Sequence, residues 1–117
     1  MTEVENLSSR CFETEVNGQS LHIRMLGVTQ ECLELRTDWY LFALNGHKGP
    51  FTHITIDLAA YSTVNSAFVA GAIELRNRYF ATPNQKIHLV NTNERVAGLV
   101  KIMNLYSFFT VDFDENA

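Results

Sequence analysis

Two hydrophobic periodicities alternate along this chain, one typical of strands and one typical of helices. Apolar residues at every second position predict strands over residues 11–16, 21–27, 52–59, 86–91 and 108–113. Apolar residues at spacings of three and four predict helices over residues 30–45, 66–80 and 94–103. The resulting order β-β-α-β-α-β-α-β requires right-handed crossovers and a partly parallel sheet, so we expect an α/β fold.

Turn and capping residues mark the ends of several of these elements. Asn17-Gly18 predicts a tight turn that joins the first two strands into an antiparallel hairpin, which makes the sheet mixed. Thr29 is a candidate cap for the first helix, and Asn45-Gly46 is a typical helix end. The start of that helix stays open, because residues 32–36 could also form a short strand. Asn93 is expected to cap the last helix.

The helix faces are expected to divide between core and solvent. On the second helix, Val69, Ile73 and Phe80 are predicted to face the core, and Arg76 and Arg78 the solvent. On the first helix, the aromatic area exceeds what one amphipathic face can hide. Core packing is favoured there over a partner or homodimer surface, and the residues concerned are Trp39, Tyr40 and Phe42.

The composition indicates one ordinary domain over residues 1–117, with residues 1–8 frayed and residues 114–117 an acidic tail. A chain of this length can hold a core without disulfides or a structural metal. The formal net charge is −4 and no window concentrates Lys and Arg, which excludes an interface that neutralises nucleic-acid phosphates. The longest apolar run, residues 39–44, is far shorter than the roughly 20 residues of a membrane-spanning helix.

The two cysteines are expected to be free, buried thiols. Cys11 and Cys32 could pair in principle, but the sequence starts without a charged segment followed by an apolar one. Nothing therefore directs the chain to an oxidising compartment, where disulfides form and persist. We predict a cytoplasmic protein.

Signatures of catalysis and metal binding are missing from the sequence. It contains no Gly-x-Ser-x-Gly elbow, Walker A loop, Gly-x-Gly-x-x-Gly turn or His-Glu-x-x-His motif. Asp57 has no second carboxylate or histidine at a useful spacing for proton transfer. The histidines lack the spacing of metal ligands and lie at positions His22, His47, His53 and His88. We expect a non-enzymatic protein that needs no metal or cofactor.

The most informative segment is the connection between the third strand and the second helix, residues 57–66. It leaves the carboxyl end of a central strand and delivers the hydroxyl of Ser66 to a helix N-terminus. In α/β folds, ligands and partners usually meet the sheet at this edge.

The chain resembles STAS domains, the family of sulphate-transporter cytoplasmic domains and bacterial anti-sigma factor antagonists. The resemblance covers almost the whole sequence and rests on the element order and on a small set of motifs. These are Ile54-Thr55-Ile56-Asp57-Leu58 followed by Val64-Asn65-Ser66-Ala67, and Leu89-Val90-Asn91 followed by Arg95-Val96-Ala97-Gly98-Leu99-Val100 and Leu105. The resemblance implies a stand-alone domain with four to five strands and helices packed mainly on one face of the sheet.

In antagonist members of the family, the loop reads Asp-Ser-Ser-Gly, and its first Ser receives a phosphate from a partner anti-sigma factor with kinase activity. Ser66 occupies the position of that phosphoacceptor. A phosphate there would sit where free helix N–H groups and the positive dipole end tolerate an anion. The implied partner-binding loop and helix start comprise Asp57, Tyr61, Asn65, Ser66, Ala67 and Phe68.

The chain departs from the family pattern on both sides of the acceptor. Phe68 stands where the family has Gly, which changes the shape of the surface a kinase closes over. Asn65 can cap the helix but lacks the carboxylate of the family's Asp. The alternative is that Asn65 or Ser66 serves only as an N-cap. Thr63 and Ser62 are weaker candidate acceptors in the same loop.

The resemblance implies a signal-transduction protein that binds an anti-sigma factor or related GHKL-type serine kinase and controls transcription by partner switching, with Ser66 as the switch. An alternative function is an unmodified subunit of a larger assembly, such as the STAS component of an ABC-type lipid transporter or a signalling scaffold. A small-ligand or nucleotide site at the strand ends is weaker, because the sequence offers no phosphate cradle.

Overall fold

A computed structural model describes residues 11–27, 32, 35–82 and 84–113. The predicted cap Thr29, the expected frayed start and the acidic tail lie outside these residues. The described residues form five strands and three helices, in the order β1 Phe12–Asn17, β2 Ser20–Met25, α1 Trp39–Leu44, β3 His53–Asp57, α2 Ser66–Tyr79, β4 Ile87–Thr92, α3 Glu94–Ile102 and β5 Phe109–Phe113.

The strands form one five-stranded sheet in the order β1-β2-β3-β4-β5. β1 and β2 are antiparallel, and every later neighbour pair is parallel. The predicted α/β fold with a mixed sheet is therefore confirmed. The hairpin turn lies one residue later than predicted, because Asn17 pairs with Ser20 and leaves Gly18 and Gln19 as the loop. Gly18 has a φ of 60°, a left-handed conformation that glycine adopts without strain.

One face of the sheet is buried against the helices and holds the core. Leu21, Ile54 and Ile56 are almost inaccessible to solvent on this face. The other face carries a polar row in which His22 pairs with Thr55 and Thr55 pairs with His88. Because side chains alternate across a strand, the buried residues Ile54 and Ile56 of β3 and Ile87 and Leu89 of β4 point toward the helices.

The indole of Trp39 joins the helical layer to the sheet. Its ring stacks on Phe68 of α2 with centroids 5.2 Å apart, and on Phe12 of β1 with centroids 5.8 Å apart. Its Nε1 donates a hydrogen bond of 3.1 Å to the carbonyl oxygen of Phe68. The core interpretation of Trp39 and Tyr40 is confirmed, since both are buried, and Phe42 packs against the same cluster.

The first helix is shorter than its periodicity predicts. It begins at Trp39, preceded by a turn at Thr37 and Asp38, whereas the prediction placed its start at residue 30. Cys32 is itself helical, but Leu35 and Arg36 are not, so a break separates Cys32 from α1. The end is as predicted, because Asn45 adopts a left-handed φ of 48° at the C-cap.

The core-facing stripe of α2 also differs from the prediction. The buried residues are Phe68, Gly71, Ala72 and Leu75, whereas Val69, Ile73 and Phe80 are only half-buried. The helix carries apolar residues on two adjacent faces, so spacing alone cannot choose between them. Arg76 is half-buried, and its guanidinium lies 5.1 Å from the centroid of the Phe108 ring.

The prediction of free thiols is wrong. Cys11 and Cys32 form a disulfide that closes 21 residues of chain. Both residues are buried, with 1% and 0% of their surface exposed. The positions of two cysteines along the sequence say nothing about the distance between them in the fold. The pairing depends on the fold, which brings the start of β1 next to the connection between β2 and α1.

Candidate functional site

The candidate site lies at the carboxyl ends of the parallel strands β3 and β4. The connection from β3 to α2 begins with one more ladder bond, from the N–H of Leu58 to the carbonyl of Val90 at 3.0 Å. The carboxylate of Asp57 accepts a hydrogen bond of 2.9 Å from the N–H of Ala59. Asp57 therefore shapes the turn that leaves the strand, a common role of Asp side chains at such positions.

Tyr61 anchors the middle of this connection in the core. Its N–H donates to the carbonyl of Leu58 at 3.0 Å, and its hydroxyl donates to the backbone carbonyl of Cys32. Only 4% of Tyr61 is exposed, and burial raises the pKa of its hydroxyl to about 12. The ring is therefore a neutral internal support and is not available to a partner.

The following residues are exposed and polar. Ser62 and Thr63, the weaker candidate acceptors, are both exposed. The carbonyl of Ser62 accepts a hydrogen bond of 2.8 Å from Nδ2 of Asn93. Asn93 also caps α3, as predicted, by accepting from the N–H of Val96 at 2.9 Å. One amide side chain thus ties the connection to the start of the neighbouring helix.

The start of α2 combines one capping residue with one exposed hydroxyl. Oδ1 of Asn65 accepts a hydrogen bond of 2.8 Å from the N–H of Phe68, so Asn65 is the N-cap. Ser66 is the first residue of the helix and is exposed. Among the described residues, the Ser66 side chain makes no hydrogen bond. The alternative in which Ser66 itself caps the helix is therefore wrong.

The residues after Ser66 turn away from the surface. Ala67 is half-buried, and Phe68 is 1% exposed. The ring of Phe68 fills the core beside Trp39 instead of altering the surface around Ser66, as its position in the sequence had suggested. The accessible part of the predicted partner-binding segment is Asn65 and Ser66, with Ser62 and Thr63 before them.

Two depressions flank this surface. A groove of about 320 Å³ runs between residues 60–65 and the pair Gly27 and Leu35. A shallower depression of about 580 Å³ is lined by Ser62, Asn93, Glu94 and Arg95. Its charged side chains are one carboxylate and one guanidinium, so it has no strong preference for either sign of charge.

The structure brings no metal-binding cluster together within the described parts of the chain. None of the helices described has the length and apolar character needed to cross a bilayer. His22 and His88 lie on the polar face of the sheet, and His47 lies in the loop after α1, away from the strand ends.

Sequence reasoning missed two features of the site. The first is the disulfide together with the contact that Tyr61 makes with it, for which the sequence offers only two cysteines 21 positions apart. The second is the hydrogen bond from Nδ2 of Asn93 to the carbonyl of Ser62. The capping motif predicts that the side-chain oxygen of Asn93 accepts a bond, but it does not predict where the side-chain NH₂ group donates. Searches with protein-family models, with curated proteins and with solved structures found no match to this chain.

Proposed function

We propose that this chain is a STAS-like regulatory module that binds a protein partner at the start of α2 and is switched by phosphorylation of Ser66. One observation carries the proposal. Ser66 is exposed at the first position of a 14-residue helix, and its neighbour Asn65 already provides the cap. The hydroxyl of Ser66 has no structural role to lose, so it can be modified while the helix start stays intact.

The electrostatics of this position favour an added phosphate. A phosphoserine carries about −1.5 to −2 charges at neutral pH. The N-terminus of a helix carries about half a positive charge, together with backbone N–H groups that lack intrahelical partners. The phosphate at Ser66 would meet this positive end without entering the core, since the side chain points into solvent. It would change the charge and shape of the exposed surface.

The partner that fits this proposal is an anti-sigma factor or related GHKL-type serine kinase in the cytoplasm. Such a partner would bind the unmodified surface of Ser62, Thr63, Asn65 and Ser66, transfer the γ-phosphate of ATP to the Ser66 hydroxyl, and then be repelled by the new charge. The domain itself supplies no catalytic group in this scheme. Its contribution is a rigid, capped helix start that presents one hydroxyl.

The first test is peptide mass mapping of the protein isolated from its own cells, over the peptide that spans Tyr61 to Arg76. A phosphoryl group on Ser66 is expected. The second test is a pulldown with a co-encoded kinase and nucleotide. Ser66→Ala should bind the kinase and Ser66→Asp should not, while Ser107→Asp on the exposed α3–β5 turn serves as the charge control. Equal binding by both Ser66 variants would contradict the switch.

A second candidate function is an unmodified subunit of a larger assembly. The observation that favours it is a set of exposed apolar side chains at and after the end of α3. Ile102 is 83% exposed, and Met103 and Tyr106 are each 48% exposed. Large exposed apolar side chains that lie close together are typical of protein contacts. Copurification with a membrane ATPase, with no phosphate on Ser66 under several growth conditions, would favour this function.

A further inference from the structure

The disulfide contacts the candidate partner-binding segment through one hydrogen bond. The hydroxyl of Tyr61 donates to the backbone carbonyl of Cys32, one of the two bonded cysteines. Tyr61 is 4% exposed and Cys32 is 0% exposed, so water cannot easily replace either partner. A donor left unpaired in the core is costly. The position of the Cys32 carbonyl therefore fixes the position of the Tyr61 ring.

Tyr61 in turn fixes the connection between β3 and α2. Its N–H closes a turn onto Leu58, and the next four residues form one wall of the groove described above. The opposite wall consists of Gly27 and Leu35, which precede and follow Cys32 in the chain. Both walls of the groove are thus related to the disulfide: Gly27 and Leu35 lie on either side of Cys32 in the sequence, and Tyr61 donates to the Cys32 carbonyl.

We propose that the Cys11–Cys32 disulfide is a reducible switch that sets the order of residues 58–65 and, through them, partner access to Ser66. The effect on partner access to Ser66 rests on the proposed function, whereas the effect of the disulfide on the order of residues 58–65 does not. Disulfides in cytosolic proteins are usually transient or redox-sensing. For a domain in the cytoplasm, where the proposed function places this chain, a disulfide in contact with the partner-binding segment fits that class.

The chemical step is thiol–disulfide exchange with a dithiol reductant. The dithiol transfers two electrons to the disulfide and closes into its own disulfide. Its two protons appear on the sulfurs of Cys11 and Cys32. Once the crosslink to Cys11 is broken, the chain around Cys32 is no longer held at the start of β1. The hydrogen bond from Tyr61 then loses the fixed position of its acceptor.

The test is amide hydrogen exchange of the full chain, before and after reduction with dithiothreitol. The reporters are the N–H groups of Ala59 and Tyr61, which are bonded to Asp57 and Leu58. We expect both to exchange about fivefold faster after reduction, the factor that corresponds to losing one ordinary hydrogen bond. The amide of Met103, bonded to Leu99 at the exposed end of α3, is the reference for local opening away from the disulfide and should keep its rate.

Two variants separate the switch from simpler explanations. The double variant Cys11→Ala, Cys32→Ala should reproduce the reduced protein, so the result does not depend on how dithiothreitol reaches buried sulfurs. Tyr61→Phe keeps the ring and removes the donor. In oxidised Tyr61→Phe, the Ala59 amide should already exchange as fast as it does in the reduced wild type. Reduction of this variant should not raise that rate further.

Three results would overturn the proposal. The reporters could keep their rates in both the reduced protein and the double variant. Reduction could accelerate Ala59 exchange as much in Tyr61→Phe as in the wild type. The Met103 amide could accelerate by the same factor as the reporters, which would make the disulfide a plain structural crosslink. These measurements use no partner, so failure of the Ser66 switch and failure of the redox coupling are separate outcomes.

Discussion

The indole nitrogen of Trp39 occupies the space where a side chain on Gly71 would begin. A Cβ on Gly71 would overlap Nε1 of Trp39 and would lie 2.8 Å from the carbonyl oxygen of Thr37. This close approach lets Trp39 reach the carbonyl of Phe68 and stack on its ring. Gly71 therefore decides how closely α1 and α2 pack above the start of β1.

Gly71→Ala is expected to destabilise the protein by about 3 kcal/mol, since overpacking adds to the loss of a buried indole hydrogen bond. Gly98→Ala is the matched control, because Gly98 lies inside α3 and a Cβ there meets nothing within 4 Å. The control should stabilise the protein by about 0.5–1 kcal/mol, the usual gain from replacing an interior helix glycine. Urea denaturation measures both, and similar effects of the two substitutions would contradict the role of Gly71.

The two helix caps differ in what their amide groups do. Asn65 uses only its oxygen among the described contacts, whereas Asn93 accepts from Val96 and also donates to Ser62. Aspartate keeps the acceptor and removes the donor. Asn65→Asp should therefore be neutral or stabilise by about 0.5 kcal/mol, because the new charge lies at a helix N-terminus.

Asn93→Asp gains the same charge at a helix N-terminus, but it loses the bond to Ser62 and places a carboxylate next to Glu94, so we expect a net cost of about 0.5 kcal/mol. Asn65→Ala and Asn93→Ala complete the comparison, and each should lose about 1 kcal/mol or more with its cap. Thermal denaturation of the four variants checks the ranking. A cost for Asn65→Asp equal to that for Asn93→Asp would contradict it.

The sequence predicts the elements better than it predicts their contacts. Strand alternation and the Asn93 cap are local signals, so their predictions hold. The state of Cys32 depends on Cys11, which is 21 residues away. The burial of Phe68 depends on Trp39, 29 residues away, and on the absence of a side chain at Gly71. Local periodicity contains no information on such distant pairs.

Burial of Tyr61 makes the stability of the fold decrease with pH in the alkaline range. The folded protein holds the pKa of this hydroxyl at about 12, against 10.0 for an exposed tyrosine. The folded state thus binds the proton more tightly than the unfolded state, and this contribution to stability is fully present below pH 10. It is lost as the pH rises from about 10 to about 12.

The measurement is the free energy of unfolding at pH 9, 10 and 11 for the wild type and Tyr61→Phe. Other groups titrate in this range in both proteins, so the difference between the two isolates Tyr61. The wild type should lose stability more steeply than Tyr61→Phe above pH 10. Parallel pH profiles would show that the hydroxyl is not buried in solution.

The disulfide closes 21 residues of chain, and this loop length sets the size of its contribution to stability. Restricting the unfolded chain by a loop of this size is worth about 3 kcal/mol in the chain-entropy description. Most domains of this size have about 5–15 kcal/mol of stability, so the double variant Cys11→Ala, Cys32→Ala should remain folded. Urea denaturation of the double variant and of the wild type in dithiothreitol should give the same loss. A fully unfolded double variant would mean that the crosslink is a condition of folding, and a folded state without it would then be too rare to act in a switch.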